Sequence, residues 1–181
     1  MKAEKFLKVA CIAEIKCKMD LSINIINPEV GIRLGVAGGN YRVIISGEQT
    51  GGNYAVIEMI VPPGGGPPPH AHPDTQEMFY VLEGEVEFKT ESGKQTVSKN
   101  GFVNIPLGGA IHCFKNNSTS NVRLLCTVVP AGLEKLFEEI ATPVTPQDML
   151  PPPALTPERK AFLKEMDEKY NQKTYSPDFL D

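Results

Sequence analysis

The feature that most constrains the fold of this 181-residue chain is a series of short runs of β-forming residues separated by turn residues. In residues 85–89, polar and apolar side chains alternate as they do in a half-exposed strand. Glycine, proline, serine or asparagine separates most neighbouring runs. The predicted strands are residues 41–45, 54–61, 77–82, 85–89, 95–97, 102–105, 111–115 and 122–129. So many short strands predict an all-β sandwich or barrel.

Beyond Pro130 the pattern changes from strand to helix. One apolar stripe of a short helix is predicted from residues at helical spacing: Leu133, Leu136, Phe137 and Ile140. We therefore divide the chain into an N-terminal extension (residues 1–30), a barrel (residues 31–130) and a C-terminal helical extension (residues 131–181).

A second helix is predicted to begin at Thr156, which has the N-cap chemistry of a helix start and is followed by proline and glutamate. Phe162, Met166 and Tyr170 follow at four-residue steps and form one apolar face. That face requires a surface to lie on, either the barrel wall or a second subunit. The C-terminal helices could thus serve as a lid or as the clasp of a homodimer, which is the expected oligomer.

Composition and charge exclude several classes of partner. The net charge of −4 argues against nucleic acid and against an anionic membrane surface. The chain has no apolar run long enough to span a bilayer, and its apolar stretch at residues 6–13 is too short and too interrupted for a signal peptide. The four cysteines, Cys11, Cys17, Cys113 and Cys126, form no CxxC pair and are expected to be reduced. We therefore expect a cytoplasmic protein whose partner is a small molecule.

All three histidines of the chain, His70, His72 and His112, lie in two short motifs. Residues two apart on a strand face the same side, so the imidazoles of His70 and His72 can converge on one metal ion. Glu77 would face the opposite side of an unbroken strand, but Pro73 interrupts the hydrogen-bond ladder. Past that break, Glu77 is a plausible further ligand.

His112 lies far along the chain from the other two histidines. By strand parity its face also carries Phe114 and Asn116, whereas Cys113 faces the other way. Only a closed or strongly curved sheet can bring His112 opposite His70 and His72. The predicted metal site therefore supports a barrel.

The two histidine segments resemble the two motifs of the cupin superfamily. The first motif matches in full and consists of Gly64, His70, His72, Glu77 and Gly84. The second matches at Pro106, His112 and Asn116, with one extra residue between Pro106 and His112 and a shifted glycine-containing opening at residues 100–102. The resemblance covers about residues 31–130. It implies a double-stranded β-helix, or jelly-roll barrel, in which His70, His72, Glu77 and His112 are the metal ligands.

Within the superfamily, the chain is most similar to small single-barrel members that resemble quercetin 2,3-dioxygenase. The sequences PPPHAH and EMFYVLEGE carry this likeness. It implies a dioxygenase acting on a small aromatic or enol-containing molecule, with Glu77 either a fixed ligand or a base toward a substrate hydroxyl. A metal-dependent isomerase or lyase and a non-catalytic small-molecule-binding module are the alternatives.

The donor set also restricts the metal. Three imidazoles and one carboxylate suit one divalent transition metal per chain, and iron, manganese, nickel, cobalt and copper are favoured over zinc. Four protein ligands would fill a tetrahedral zinc, whereas an octahedral ion would keep two open positions.

The pocket around the metal is expected to be apolar. Strand parity directs Ala55, Ile57, Met59 and Val61 inward, since Glu58 should face water. The residues predicted to line the pocket are Met59, Phe79, Phe88 and Phe114. The alternative is that these side chains simply fill a narrow barrel.

Overall fold

Residues 23–181 are described here from a computed structural model. Two antiparallel sheets form a barrel, and two helices lie against it. The strands are β1 (Ile32–Val36), β2 (Gly39–Ile45), β3 (Ala55–Val61), β4 (His70–Ala71), β5 (Gln76–Glu83), β6 (Glu85–Thr90), β7 (Gly93–Ser98), β8 (Phe102–Ile105), β9 (His112–Lys115), β10 (Val122–Val129), β11 (Thr142–Pro143) and β12 (Lys173–Thr174). The helices are α1 (Leu133–Ile140) and α2 (Pro157–Lys169).

The seven-stranded sheet has the order β11-β1-β2-β3-β10-β5-β8, and the five-stranded sheet has the order β12-β4-β9-β6-β7. This all-β arrangement agrees with the double-stranded β-helix expected from the sequence. Every predicted strand is present, with ends at most two residues from those predicted. The sequence analysis missed β1, β4, β11 and β12 as separate strands. The N-terminal part of the predicted extension and the thiols of Cys11 and Cys17 lie outside the described residues.

Alternating side chains of the two central strands form the core between the sheets. The inward residues of β3 and β10 are at most 2% exposed: Ala55, Ile57, Met59, Val61, Val122, Leu124, Cys126 and Val128. Glu58 faces outward as expected, but it is largely covered, because its carboxylate pairs with Arg42 at 2.9 Å and with Arg123 at 3.6 Å. The period-2 pattern of the sequence thus fixes which face of β3 is buried.

The predicted apolar face of helix α1 packs against this core. Leu133 and Leu136 are buried, and Phe137 and Ile140 pack against the same cluster. The buried carboxylate of Glu134 accepts hydrogen bonds from the backbone N–H groups of Gly47 (2.9 Å) and Gly132 (2.7 Å). This carboxylate ties the helix to the turn between β2 and β3.

Helix α2 begins as the sequence predicts, because the Thr156 side chain accepts a hydrogen bond from the backbone N–H of Arg159 at 3.2 Å. Met166 is buried, and Phe162 and Tyr170 pack against the core cluster. The apolar face of α2 therefore lies on its own chain. No helix within residues 23–181 is long and apolar enough to cross a membrane.

Candidate metal centre

The glycine-proline loop at residues 62–69 packs on β9 and leads into the strand that carries His70. Its backbone pairs with Asn116, since Gly64 N–H donates to Asn116 O (2.7 Å) and Asn116 N–H donates to Gly65 O (2.9 Å). At Gly66, φ is +142°, and an added Cβ would lie 1.9 Å from the carbonyl oxygen of Phe114. Only glycine fits there, so the loop can lie flat on β9 and lead directly into His70.

Three of the four candidate ligands lie on three different strands, and His72 follows closely after β4. His70 on β4 is paired directly with His112 on β9. A turn at residues 73–75 separates His72 from β5, and past it Glu77, Phe79 and Val81 share the inward face, each at most 2% exposed. Glu77 thus faces inward, as strand parity past Pro73 predicts. The pairing of β4 with β9 brings His112 next to His70, as a closed or strongly curved sheet requires.

The four side chains converge. The Nε2 atom of His112 lies 2.9 Å from Oε2 of Glu77, and the Nε2 atom of His72 lies 3.6 Å from the same oxygen. The His70 ring centroid lies 4.9 Å from that of His72 and 4.4 Å from that of His112. The tightest group is His70, Glu77 and His112, whose ligand atoms all lie within 4.8 Å of one another. This buried cluster could bind a metal ion.

Backbone carbonyls fix the orientation of two of the imidazoles. Nδ1 of His70 lies 2.9 Å from Pro68 O, and Nδ1 of His112 lies 2.9 Å from Ala110 O. A carbonyl oxygen only accepts, so each Nδ1 carries a proton. This arrangement is the usual support for a ligating histidine and leaves Nε2 of each ring as the ligand atom. In the metal-free protein the Nε2–H of His112 donates to Glu77, and a bound metal ion would take the place of that proton.

Burial and mutual contacts shift the pKa values of the cluster. Burial, followed by the neighbouring His112, lowers the pKa of His70 to about 3. Burial also lowers the pKa of His72. Burial alone would raise the pKa of Glu77, but the hydrogen bond from His112 and the nearby imidazoles outweigh it and bring the value to about 2. Neutral imidazoles at His70 and His72 beside an ionised carboxylate suit a divalent cation.

The thiol of Cys126 contacts the other side of the carboxylate. Its Sγ lies 3.9 Å from Oε1 of Glu77, and the side chain is fully buried. Burial, followed by the charge of Glu77, raises the pKa of this thiol well above its ordinary value, so it stays protonated. Glu77 thus has its two oxygens in different surroundings, one toward the imidazoles and one toward the thiol.

An apolar cavity of about 360 Å³ opens beside the cluster. Met59, Phe79 and Phe114 line it, as the sequence predicts, together with His70, His72 and Glu77. Phe88 is not among the lining residues. Its ring is buried against those of Phe79 and Phe114, with centroids 5.4 and 5.7 Å away, instead of reaching the cavity.

Sequence reasoning missed a large part of the cavity wall. Helix α1 contributes an apolar roof of Leu133, Leu136, Phe137 and Ile140. Helix α2, β12 and the segment between them contribute Lys160, Leu163, Lys164, Asp167, Gln172 and Thr174. The spacing of Lys160, Leu163, Lys164 and Asp167 on one face of α2 was the available signal. Tyr41 of β2 was also missed as a lining residue.

The family model for the cupin domain matches residues 57–128, which lie in the barrel. Together with the double-stranded β-helix fold, this match identifies a cupin domain at residues 57–128.

Two curated relatives are germin-like proteins of Arabidopsis thaliana. Germin-like protein subfamily 2 member 4 is 31% identical over 148 residues, which are 79% of this chain and 65% of that protein. Germin-like protein subfamily 2 member 2 is 44% identical over 68 residues, which are 35% of this chain and 31% of that protein. The chain therefore spans less than two thirds of the length of these relatives.

Solved structures share the fold at low sequence identity. A predicted oxalate decarboxylase from Thermotoga maritima is 18% identical with a TM-score of 0.53, covering 59% of this chain and 99% of that chain. KdgF from Halomonas sp. is 14% identical with a TM-score of 0.55, covering 63% of this chain and 99% of that chain. An RmlC-like cupin from Shewanella frigidimarina is 16% identical with a TM-score of 0.53, covering 63% of this chain and 96% of that chain. These likenesses concern the fold.

Proposed function

We propose that this protein is a metal-dependent oxidoreductase of the dioxygenase type that acts on a small aromatic or enol-containing molecule. The observation that carries the proposal is the position of the His-Glu cluster in the wall of an apolar cavity. A ligand held by Met59, Phe79 and Phe114 would have its reactive oxygen next to the cluster. Catalytic sites commonly combine apolar walls with a few convergent polar groups in this way.

The proposed ligands are His70, His72, Glu77 and His112, holding one divalent transition metal per chain. Iron, manganese, nickel, cobalt and copper fit the proposal better than zinc, because four protein donors would fill a tetrahedral zinc site. When bound, such a metal would supply Lewis acidity and one-electron chemistry toward dioxygen.

The protein side chains would position the substrate and manage its proton. The aromatic and aliphatic walls would exclude water and orient a planar ring against Phe79 and Phe114. Glu77 is proposed as the acceptor of the enol proton, because it is an ionised carboxylate that lines the cavity beside the imidazoles. The alternative role of Glu77 is that of a fixed metal ligand.

Oxygen consumption tests this proposal. The full chain would be loaded in turn with iron, manganese, cobalt, nickel or copper and supplied with flavonols and 1,3-diketones under air. We expect oxygen uptake with at least one metal, and its loss in His112→Ala. Exposed Lys115→Ala on the same strand is the matched control and should keep the activity.

The two alternative functions predict other outcomes. Conversion of substrate at the same rate without oxygen would replace the dioxygenase proposal with an isomerase or lyase. Binding of the panel with no turnover under any of the metals would replace it with a binding module.

A further inference from the structure

Tyr41 places a hydroxyl group in an otherwise apolar part of the cavity wall. The residue is 6% exposed, and its ring packs edge-on against Phe137 with centroids 5.4 Å apart. Its hydroxyl forms no hydrogen bond with any group in residues 23–181. Among these residues, only Arg123 has a side-chain polar atom (Nε) that is sealed from solvent and has no hydrogen-bond partner. The unpaired Tyr41 hydroxyl is therefore not sealed, and it opens onto the cavity that Tyr41 lines.

This hydroxyl is a donor that is kept protonated. Burial raises the pKa of Tyr41 well above its ordinary value, and the nearby Cys126 and Glu77 raise it further. A buried hydroxyl without a partner is unfavourable, so a water molecule or a ligand oxygen is needed to accept its hydrogen bond.

The other donors of the cavity differ in their contact with solvent. Lys160, Lys164 and Thr174 are exposed, and Gln172 is half-buried. A hydrogen bond from these groups to a ligand replaces one to water and discriminates weakly. The buried Tyr41 hydroxyl discriminates strongly, because a ligand that leaves it unpaired loses the full interaction.

We propose that Tyr41 determines specificity by donating a hydrogen bond to an oxygen acceptor on the aromatic ligand of this cavity. The inference rests on the proposed function for the location of the ligand and adds its chemical class. The ligand has a ring that packs against Phe79 and Phe114 and a carbonyl or similar acceptor that reaches Tyr41. Aromatic hydrocarbons of the same shape are expected to bind about tenfold more weakly, because they leave the hydroxyl unpaired.

Two isosteric probes test this inference in the full metal-loaded chain. The first is 2-acetylnaphthalene, which carries a carbonyl acceptor, and the second is 2-isopropenylnaphthalene, in which a methylene group replaces the carbonyl oxygen. Their dissociation constants would be measured by equilibrium dialysis for wild type, Tyr41→Phe and Tyr80→Phe. Tyr80 is the matched control, since its hydroxyl donates to Asn100 at 3.2 Å on the outer face.

The preference is the ratio of the dissociation constant of the hydrocarbon probe to that of the carbonyl probe. We expect this ratio to be about tenfold higher in wild type and in Tyr80→Phe than in Tyr41→Phe. An equal preference in wild type and Tyr41→Phe would overturn the inference. It would also be overturned if wild type bound neither probe, since the proposed ligand class would then not enter the cavity.

The infrared carbonyl stretch of bound 2-acetylnaphthalene gives a second measurement that does not depend on a variant that folds. We expect a lower frequency in the wild-type protein than in an apolar solvent, and its return toward the solvent value in Tyr41→Phe. A wild-type frequency equal to that in the apolar solvent would contradict the inference.

These tests fail separately from the proposed function. Neither probe carries an enol or catechol that could be oxidised, so both binding measurements are independent of oxygen chemistry. Loss of the expected oxygen uptake with a retained carbonyl preference would overturn the proposed reaction and leave the role of Tyr41 intact. Oxygen uptake without the carbonyl preference would support the proposed reaction and overturn the role of Tyr41.

Discussion

His70 and His112 share one device for orienting an imidazole. Each ring has its Nδ1 2.9 Å from the backbone carbonyl of the residue two positions earlier, Pro68 and Ala110 respectively. Each carbonyl holds a protonated Nδ1 and fixes the ring plane, so Nε2 is available to the cluster before any metal is bound. A preorganised site of this kind loses little entropy when it binds an ion.

The same burial that prepares the imidazoles makes the metal-free chain sensitive to acid. Folding lowers the pKa of His70 from 6.5 to about 3 and also lowers that of His72. Below the unfolded value, the unfolded chain binds protons that the folded chain does not bind, so stability falls as the pH falls. Glu77, with its pKa lowered from 4.5 to about 2, acts in the same direction at lower pH.

We therefore predict that the free energy of unfolding of the metal-free protein decreases between about pH 6.5 and pH 4.5, before the carboxylates titrate. Urea unfolding of chelator-treated protein at several pH values measures this slope. His70→Asn should reduce the slope, because it removes the group whose pKa is lowered most clearly. A wild-type stability that stays constant over this range would show that the histidines are not buried as neutral groups.

At the scale of elements, the loop before β4 controls how the first histidine pair meets the opposite strand. Gly64 and Gly66 both have positive φ, but their surroundings differ. A Cβ at Gly64 would contact nothing within 4 Å, whereas a Cβ at Gly66 would lie 1.9 Å from Phe114 O. The first position is restricted by backbone conformation alone, and the second by conformation together with close packing on β9.

We predict that Gly64→Ala costs about 1–2 kcal/mol of stability, the strain of a left-handed alanine. Gly66→Ala should cost roughly a further 1–3 kcal/mol, because the loop must move away from β9. Urea unfolding of both variants measures the difference, and only Gly66→Ala should also weaken metal binding. Equal costs in the two variants would mean that the loop does not depend on its contact with Phe114.

The strands that could be predicted from sequence are those whose pattern belongs to the strand itself. In β3, buried and outward residues alternate, so its inward face was predicted correctly and its bounds to within one residue. The two-residue strands β4, β11 and β12 have no pattern of their own, since each exists only through its partner strand. Length and composition cannot identify such an element.

Tyr41 could not be recognised as a cavity residue for a related reason. On β2 the residues on both faces are buried, so parity does not distinguish inside from outside. Asn40 faces away from the barrel core but is covered, because it donates hydrogen bonds to the backbone of Thr145 and Asp148, both at 2.9 Å. The contacts that bury this face come from residues about a hundred positions later, which local sequence does not reveal.

For the whole molecule, the C-terminal part of the chain completes the barrel instead of standing apart from it. Strand β11 pairs with β1 at one edge of the larger sheet, and β12 pairs with β4 so that Thr174 lies opposite His70. Between these strands, α1 and α2 cover the cavity. These contacts support the role of a lid that the sequence analysis considered. The homodimer and the cytoplasmic location stay predictions.

The metal content of the full chain tests the central claim most directly, because every functional proposal here depends on the cluster of His70, His72, Glu77 and His112. Protein would be purified without added metal, then reconstituted with each first-row divalent metal, dialysed and analysed by mass spectrometry. We predict one equivalent per chain for wild type and for the control Lys115→Ala, and far less for His112→Ala. One retained equivalent in His112→Ala, or none in wild type under every metal, would contradict the account.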